Sequence, residues 1–164
     1  MNMKKLNKFI ELITNTLHMY SAKTYKDGSI VLCNYIKKGY YVTGELWFEI
    51  PYKNGKVHGI MKRYYKNGQL KTEIPFVNGK RDGIRKTYFE NGKLKSEVLF
   101  VLGKEDGIYK EYYKNGQLES EVLYKNGEKH GIMKQYYENG ELKEESRYVD
   151  VELMGTNNYN VKIS

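Results

Sequence analysis

From Pro51 to Ser146 apolar and polar residues alternate with a period near two, and the alternation itself recurs every 24 positions. Segments 51–74, 75–98, 99–122 and 123–146 align without an insertion. Gly55, Gly79, Gly103 and Gly127 coincide, as do Gly59, Gly83, Gly107 and Gly131, and Gly68, Gly92, Gly116 and Gly140. Tyr64, Tyr88, Tyr112 and Tyr136 fall in register with them, and so do Leu70, Leu94, Leu118 and Leu142. The pattern reaches back one period to Tyr40, Tyr41, Gly44, Glu45 and Leu46, and fades forward through Tyr148 and Gly155, as terminal units of an array do. Period two marks a half-buried strand, so each unit reads as a β-hairpin. Asn67-Gly68 supplies its tight turn, read as a type I′ pair, and Asn78 to Arg81 form a four-residue loop to the next unit. The expected fold is all-β, an elongated antiparallel meander of 24-residue β-hairpin repeats with about nine or ten strands.

The first residues follow another rhythm. Leu6, Phe9, Ile10, Ile13 and Leu17 recur at helical spacing and predict an N-terminal amphipathic α-helix from about Lys4 to Tyr20. Its expected place is over part of the sheet. Glu11, Thr14, Asn15 and Thr16 interrupt the apolar core that an export signal needs. No apolar stretch approaches the roughly 18 residues that span a bilayer, so the expected location is cytoplasmic. The chain divides into 1–24, helix and linker; 25–50, capping strands; 51–146, four hairpin repeats; and 147–164, a C-terminal cap and tail.

The repeat also predicts register. A two-residue turn sets Tyr65 opposite Leu70, Lys62 opposite Glu73 and Gly59 opposite Phe76, and the four-residue loop sets Glu73 opposite Lys86. One row then crosses the sheet as Glu49, Lys62, Glu73, Lys86, Glu97, Lys110, Glu121, Lys134 and Glu145, every neighbour opposite in sign. Each such pair contributes about 0.2–1 kcal/mol, and like charges would oppose a slipped register. The other face takes Ile74, Val98 and Val122, the rows Tyr65–Leu70 and Phe89–Leu94, and glycines alternating with Phe76 and Phe100, each ring covering its neighbouring glycine. That is the expected core face. Beside the ion row, Tyr40, Trp47, Tyr64, Lys71, Tyr88, Lys95 and Tyr112 form the candidate working stripe, with Lys62 and Lys86 steering a partner. A sheet of this length exceeds what one helix can shield, which points to association, a homodimer included.

Composition sharpens this reading. The 164 residues carry 28 Lys and Arg against 20 Asp and Glu, a net charge of +8, and include 17 Tyr, a content at odds with disorder. Residues 1–98 hold 19 basic and 8 acidic side chains, whereas 99–164 hold 9 and 12, so the first part favours anionic partners. A single cysteine, Cys33, excludes an internal disulfide and reads as a small buried residue. His58 and His130 occupy the repeat position that Asp82 and Asp106 fill elsewhere, which suits loop hydrogen bonding better than a metal site. Because nearly every polar feature is copied from unit to unit, no single constellation stands out for catalysis. The expectation is a protein without catalytic residues, metal or cofactor.

The unit from Tyr52 to Glu73, with its Tyr-Lys-Asn-Gly and Tyr-Tyr-Lys-Asn-Gly segments, resembles the MORN-variant repeat, a bacterial relative of membrane-occupation-and-recognition-nexus repeats. The resemblance covers about residues 40–148. It implies a binding scaffold; bacterial proteins of this kind are commonly labelled YwqK-type antitoxins, which implies neutralisation of a toxin by direct binding. Three functions follow in order: a protein-binding module that neutralises or inhibits a target protein; nucleic-acid binding through the basic aromatic face; and binding to anionic membrane surfaces through Lys4, Lys5, Lys8 and the helix.

Overall fold

The computed structural model describes residues 19–24, 27, 30–153 and 157–163, with side chains at Asp27 and from Cys33 to Tyr148. The expected helix falls almost wholly on residues 1–18, outside the described residues; Met19 and Tyr20, at its end, begin strand β1 (Met19–Thr24). There follow β2 (Ile30–Tyr40), β3 (Leu46–Lys53), β4 (Lys56–Val57), β5 (Gly59–Tyr64), β6 (Leu70–Val77), β7 (Lys80–Arg81) and β8 (Gly83–Tyr88). Then come β9 (Leu94–Val101), β10 (Lys104–Glu105), β11 (Gly107–Tyr112), β12 (Leu118–Lys125), β13 (Glu128–Tyr136), β14 (Leu142–Leu153) and β15 (Asn157–Ile163). All belong to one antiparallel sheet in the order β1-β2-β3-β5-β6-β8-β9-β11-β12-β13-β14-β15, with β4, β7 and β10 as two-residue extensions of the turns. The meander is therefore as expected, and longer: twelve strands lie on the main path.

The two turns exchange the roles assigned to them. Asn78-Gly79 is the two-residue turn, with φ of 50° and 87°, and Val77 pairs with Lys80 across it. Two consecutive positive φ values are what a type I′ turn requires, and Asn tolerates that region better than other side chains. The expected four-residue loop is thus a tight hairpin. Lys66-Asn67-Gly68 is instead a three-residue loop, closed by the Tyr65 amide donating to the Gln69 carbonyl at 2.8 Å and the Gly68 amide to the Tyr65 carbonyl at 3.0 Å. Only Gly68 has positive φ there, and the Asn67 side chain accepts from the Gln69 amide at 2.9 Å. In consequence Tyr64, not Tyr65, pairs with Leu70, and a bulge sits between Thr72 and Leu70.

Between the turns the ion row stands as expected. Glu49 pairs with Lys62, Lys62 with Glu73, Glu73 with Lys86, Lys86 with Glu97, Glu97 with Lys110, Lys110 with Glu121, Glu121 with Lys134 and Lys134 with Glu145. Lys38 opposite Glu49 extends it by one strand.

The opposite face holds the core. Ile74, Val98, Phe100 and Val122 are buried, as expected, and Ser96, Ser120 and Ser146 are buried beside them. In a single layer, long side chains of the same face do the covering: the guanidiniums of Arg81 and Arg85 lie 5.2 and 5.6 Å from the Phe100 ring centre, and Tyr109 meets Tyr124 edge-on at 6.2 Å. The outer rows do not belong to this core throughout, because Tyr137 and Leu142 are about half exposed. Gly83 pairs with Phe100 as expected, yet it is glycine for a different reason. Its φ is 115°, and a Cβ there would come within 3.0 Å of Pro75 rather than meet the ring. A ring does cover a glycine at Gly39, where a Cβ would run into Phe48.

Candidate binding faces

On the ion face, geometry ties most of the expected stripe into the sheet. The Tyr64 hydroxyl donates to the Glu49 carboxylate at 2.8 Å, Tyr88 to Glu73 at 2.9 Å, Tyr112 to Glu97 at 3.1 Å and Tyr136 to Glu121 at 3.0 Å. Each tyrosine reaches back to the row glutamate 15 residues earlier. Burial, then the neighbouring Glu49, pushes the Tyr64 hydroxyl up to about 12, and burial with Glu73 does the same at Tyr88. Burial alone would raise Glu49, but hydrogen bonds from Lys38 and Tyr64 hold it below the usual carboxylate range. Lys62 Nζ stands 4.0 Å from Glu73, and Lys38 Nζ 3.0 Å from Glu49. Tyr40 and Trp47 sit exposed at the β2–β3 end, with Trp47 edge-on to Phe48 at 5.1 Å. Lys86 stays in the row, between Glu73 and Glu97.

Lys71 and Lys95 leave the stripe. At the bulge two successive residues share one face, so Lys71 joins Thr72, and Lys95 joins Ser96, on the core side. Lys71 Nζ lies 5.1 Å over the Tyr65 ring and Lys95 Nζ 5.8 Å over the Phe89 ring. There they line a groove of about 310 Å³ with Thr72, Arg85, Thr87 and Tyr109.

The stripe reading missed a row of apolar side chains on the ion face. Ile60 pairs with Pro75, Ile84 with Leu99 and Ile108 with Leu123. The exposures are 50% for Ile60, 49% for Ile84, 53% for Ile108 and 47% for Ile132. The signal was present in the sequence, since each isoleucine follows a repeat glycine. Along the turns beside this row, Lys53, Lys56, Lys80, Lys104 and Lys125 are all exposed. Elsewhere His58 Nδ1 accepts from the Asn78 amide at 3.4 Å, a loop hydrogen bond of the expected kind, and Cys33 is half-buried. Among the described residues no helix is long and apolar enough to cross a membrane.

The family described as the MORN repeat variant matches residues 57–78, 81–101, 105–126 and 129–150, together more than half of the chain. The chain belongs to the MORN repeat variant family. The first three matches each begin just after one type I′ turn and end at or near the next, and the fourth begins after the Asn126-Gly127 turn and ends within β14, so the structural unit of this MORN repeat variant protein is offset by a few residues from segments 51–74 to 123–146. Comparison with curated proteins gives no match. Among solved structures the MORN repeat variant chain is similar to a mutant S. aureus TarM in complex with fondaparinux, alpha-GlcNAc-glycerol and UDP: 15% identity, 78% of this chain, 24% of that one, and a TM-score of 0.38. A likeness at that level carries no argument.

Proposed function

We propose that this protein is a non-enzymatic protein-binding module whose ion face caps an apolar, acid-rimmed surface of a target protein and so neutralises or inhibits it, in the manner of an antitoxin. The observation that carries this reading is the exposed row Ile60, Ile84, Ile108 and Ile132 with Leu99 and Leu123. Solvent-facing apolar side chains in a continuous line are unusual on a protein without a partner. Strands about 4.8 Å apart and residues about 3.3 Å apart make the face roughly 30 by 20 Å from β5 to β13, on the order of the ~800 Å² per partner of a stable interface. The row of paired charges beside it is neutralised internally, so it is desolvated at less cost than free ions. The exposed lysines along the turns favour acidic groups at the rim of the target. Ladder hydrogen bonds hold the face rigid, which limits the entropy lost on binding.

Full-length chain used as bait, washed at low and high salt with nuclease present, tests the reading against Ile84→Glu combined with Ile108→Glu. Because Ile84 and Ile108 are half-exposed, the double variant is expected to keep the fold, which circular dichroism checks. A protein retained in equal amount through high salt by the parent, and lost with the double variant, is the expected result. Retention that ignores the double variant overturns the placement of the face. Recovery of nucleic acid alone, lost as salt rises, overturns the protein-target reading. Self-association of the pure chain that the double variant abolishes replaces the target with a second copy.

A further inference from the structure

The core-face groove contains a side chain that the repeat does not explain. Across that face one row runs Met61, Ile74, Arg85, Val98, Tyr109, Val122 and Met133, with Met61 paired to Ile74, Arg85 to Val98 and Tyr109 to Val122. Arg85 is the sole charge among these seven; the row continues through Ile50 to Lys37, which is exposed near the β2 end of the sheet. Its Nε is buried and makes no hydrogen bond, and its guanidinium rests on Phe100 with no ion pair to a carboxylate among the described residues. Burying part of a charged group unpaired is expensive, and at the equivalent positions the chain uses Met or Tyr. The groove mouth adds Lys71 and Lys95. The Thr87 and Ser96 hydroxyls bond each other at 2.6 Å, and Ser96 also bonds the Tyr109 hydroxyl, so this pair is satisfied within the groove. Glu111 is the only carboxylate on the lining. Its neighbour Tyr109 is held above its usual range first by burial and then by the Glu111 charge, against the opposing pull of the Ser96 hydrogen bond and the Arg85 charge.

We infer that this groove binds a doubly charged oxyanion, a phosphate- or sulfate-ester group, through the Arg85 guanidinium and the Lys71 and Lys95 ammonium groups. The guanidinium fork matches such an anion with two parallel N–H donors. Three cations against one carboxylate suit a dianion better than a single carboxylate group. The site lies on the opposite face from the apolar row, so it does not depend on the protein-target reading.

The test is thermal unfolding of the full chain with inorganic phosphate or sulfate, against chloride at equal ionic strength, for the parent, Arg85→Met and Lys95→Gln. Phosphate or sulfate is expected to raise the Tm of the parent by a few degrees and saturably, as a ligand of the folded state does. Arg85→Met is expected to melt at or above the parent in chloride, since Met61 and Met133 occupy the same row, and to lose the oxyanion response. Lys95→Gln, at an exposed position, is expected to keep the fold and shift the midpoint of the response several-fold upward. No response in the parent, or a response that Arg85→Met retains, overturns the proposal. Vesicles containing phosphatidic acid separate the sources. Sedimentation with them that free phosphate reverses assigns the group to a lipid headgroup, and a free-anion response without sedimentation assigns it to a soluble ligand.

Discussion

Two positions break the repeat at single atoms, and both identify stability that this sequence leaves unused. Asn54, Asn78 and Asn126 take φ of 50°, 50° and 55° in the type I′ turns, whereas the third turn places Leu102 at 51°. Left-handed backbone costs an ordinary L-residue about 1–2 kcal/mol, and Asn less, because its short side chain bonds locally. Leu102 is largely exposed, so little burial is lost with it. Leu102→Asn is therefore expected to stabilise by about 0.5–1 kcal/mol, read from chemical denaturation. The second break is Phe89. Tyr41, Tyr65 and Tyr113 donate their hydroxyls to the carbonyls of Tyr64, Tyr88 and Tyr136 at 2.7–2.8 Å, always 23 residues ahead. Phe89 leaves the Tyr112 carbonyl without that donor, and Phe89→Tyr is expected to add about 0.5–1.5 kcal/mol and raise the Tm. The ion-face tyrosines set a pH limit. Their hydroxyls are raised in the fold from the ordinary value near 10 to about 12 at Tyr64 and Tyr88. The stability from that shift is complete below pH 10 and declines as pH rises from 10 to 12. Stability measured at pH 9 and pH 11, with tyrosine ionisation followed by absorbance, is expected to fall together with the appearance of tyrosinate.

At the scale of strands, charge order and bulges decide what faces what. Glu97 stands between Lys86 and Lys110 and accepts from Tyr112. Glu97→Lys replaces two attractions with two repulsions and removes an acceptor, for an expected loss of about 2 kcal/mol. Glu97→Gln keeps an acceptor and is expected to lose less than half as much; equal losses from both would show that the charge order does not matter. This row was readable from the sequence because it needs only period two and an even offset between units. An even offset keeps every residue on its face, so misplacing the loops left the row intact. The same reasoning failed at Lys71 and Lys95, where the bulge sets two successive residues on one face and strict alternation assigns the first wrongly. Type I′ geometry was misassigned because both turns contain Asn-Gly, and the dipeptide does not reveal whether one or both residues take positive φ. The groove around Arg85 was not legible at all, since it depends on which neighbours cover the guanidinium in three dimensions.

The whole molecule is close to one-dimensional: apart from the turns, each strand meets the strands beside it, and its stability is a sum of unit and neighbour terms. Because the units share one length, removal of residues 75–98 joins Ile74 to Leu99 and carries the sequence forward in phase, with Glu73 followed after the same interval by Lys110 where Lys86 stood. The shortened chain is expected to fold into a sheet two main strands narrower, with a single cooperative melt at lower temperature. Removal of 23 residues, 76–98, shifts every later strand by one position. It turns the isoleucine row toward the core and the valines toward solvent, so this chain is expected to aggregate or melt without cooperativity. Circular dichroism and light scattering on the two deletions separate the outcomes, and equal behaviour would mean that register is not fixed by the repeat period. The 24-residue deletion also removes Arg85 and Lys95 while keeping three of the four exposed isoleucines. It is therefore expected to weaken binding to a protein target in part and to abolish the oxyanion response completely, which places the two activities on different faces of one sheet.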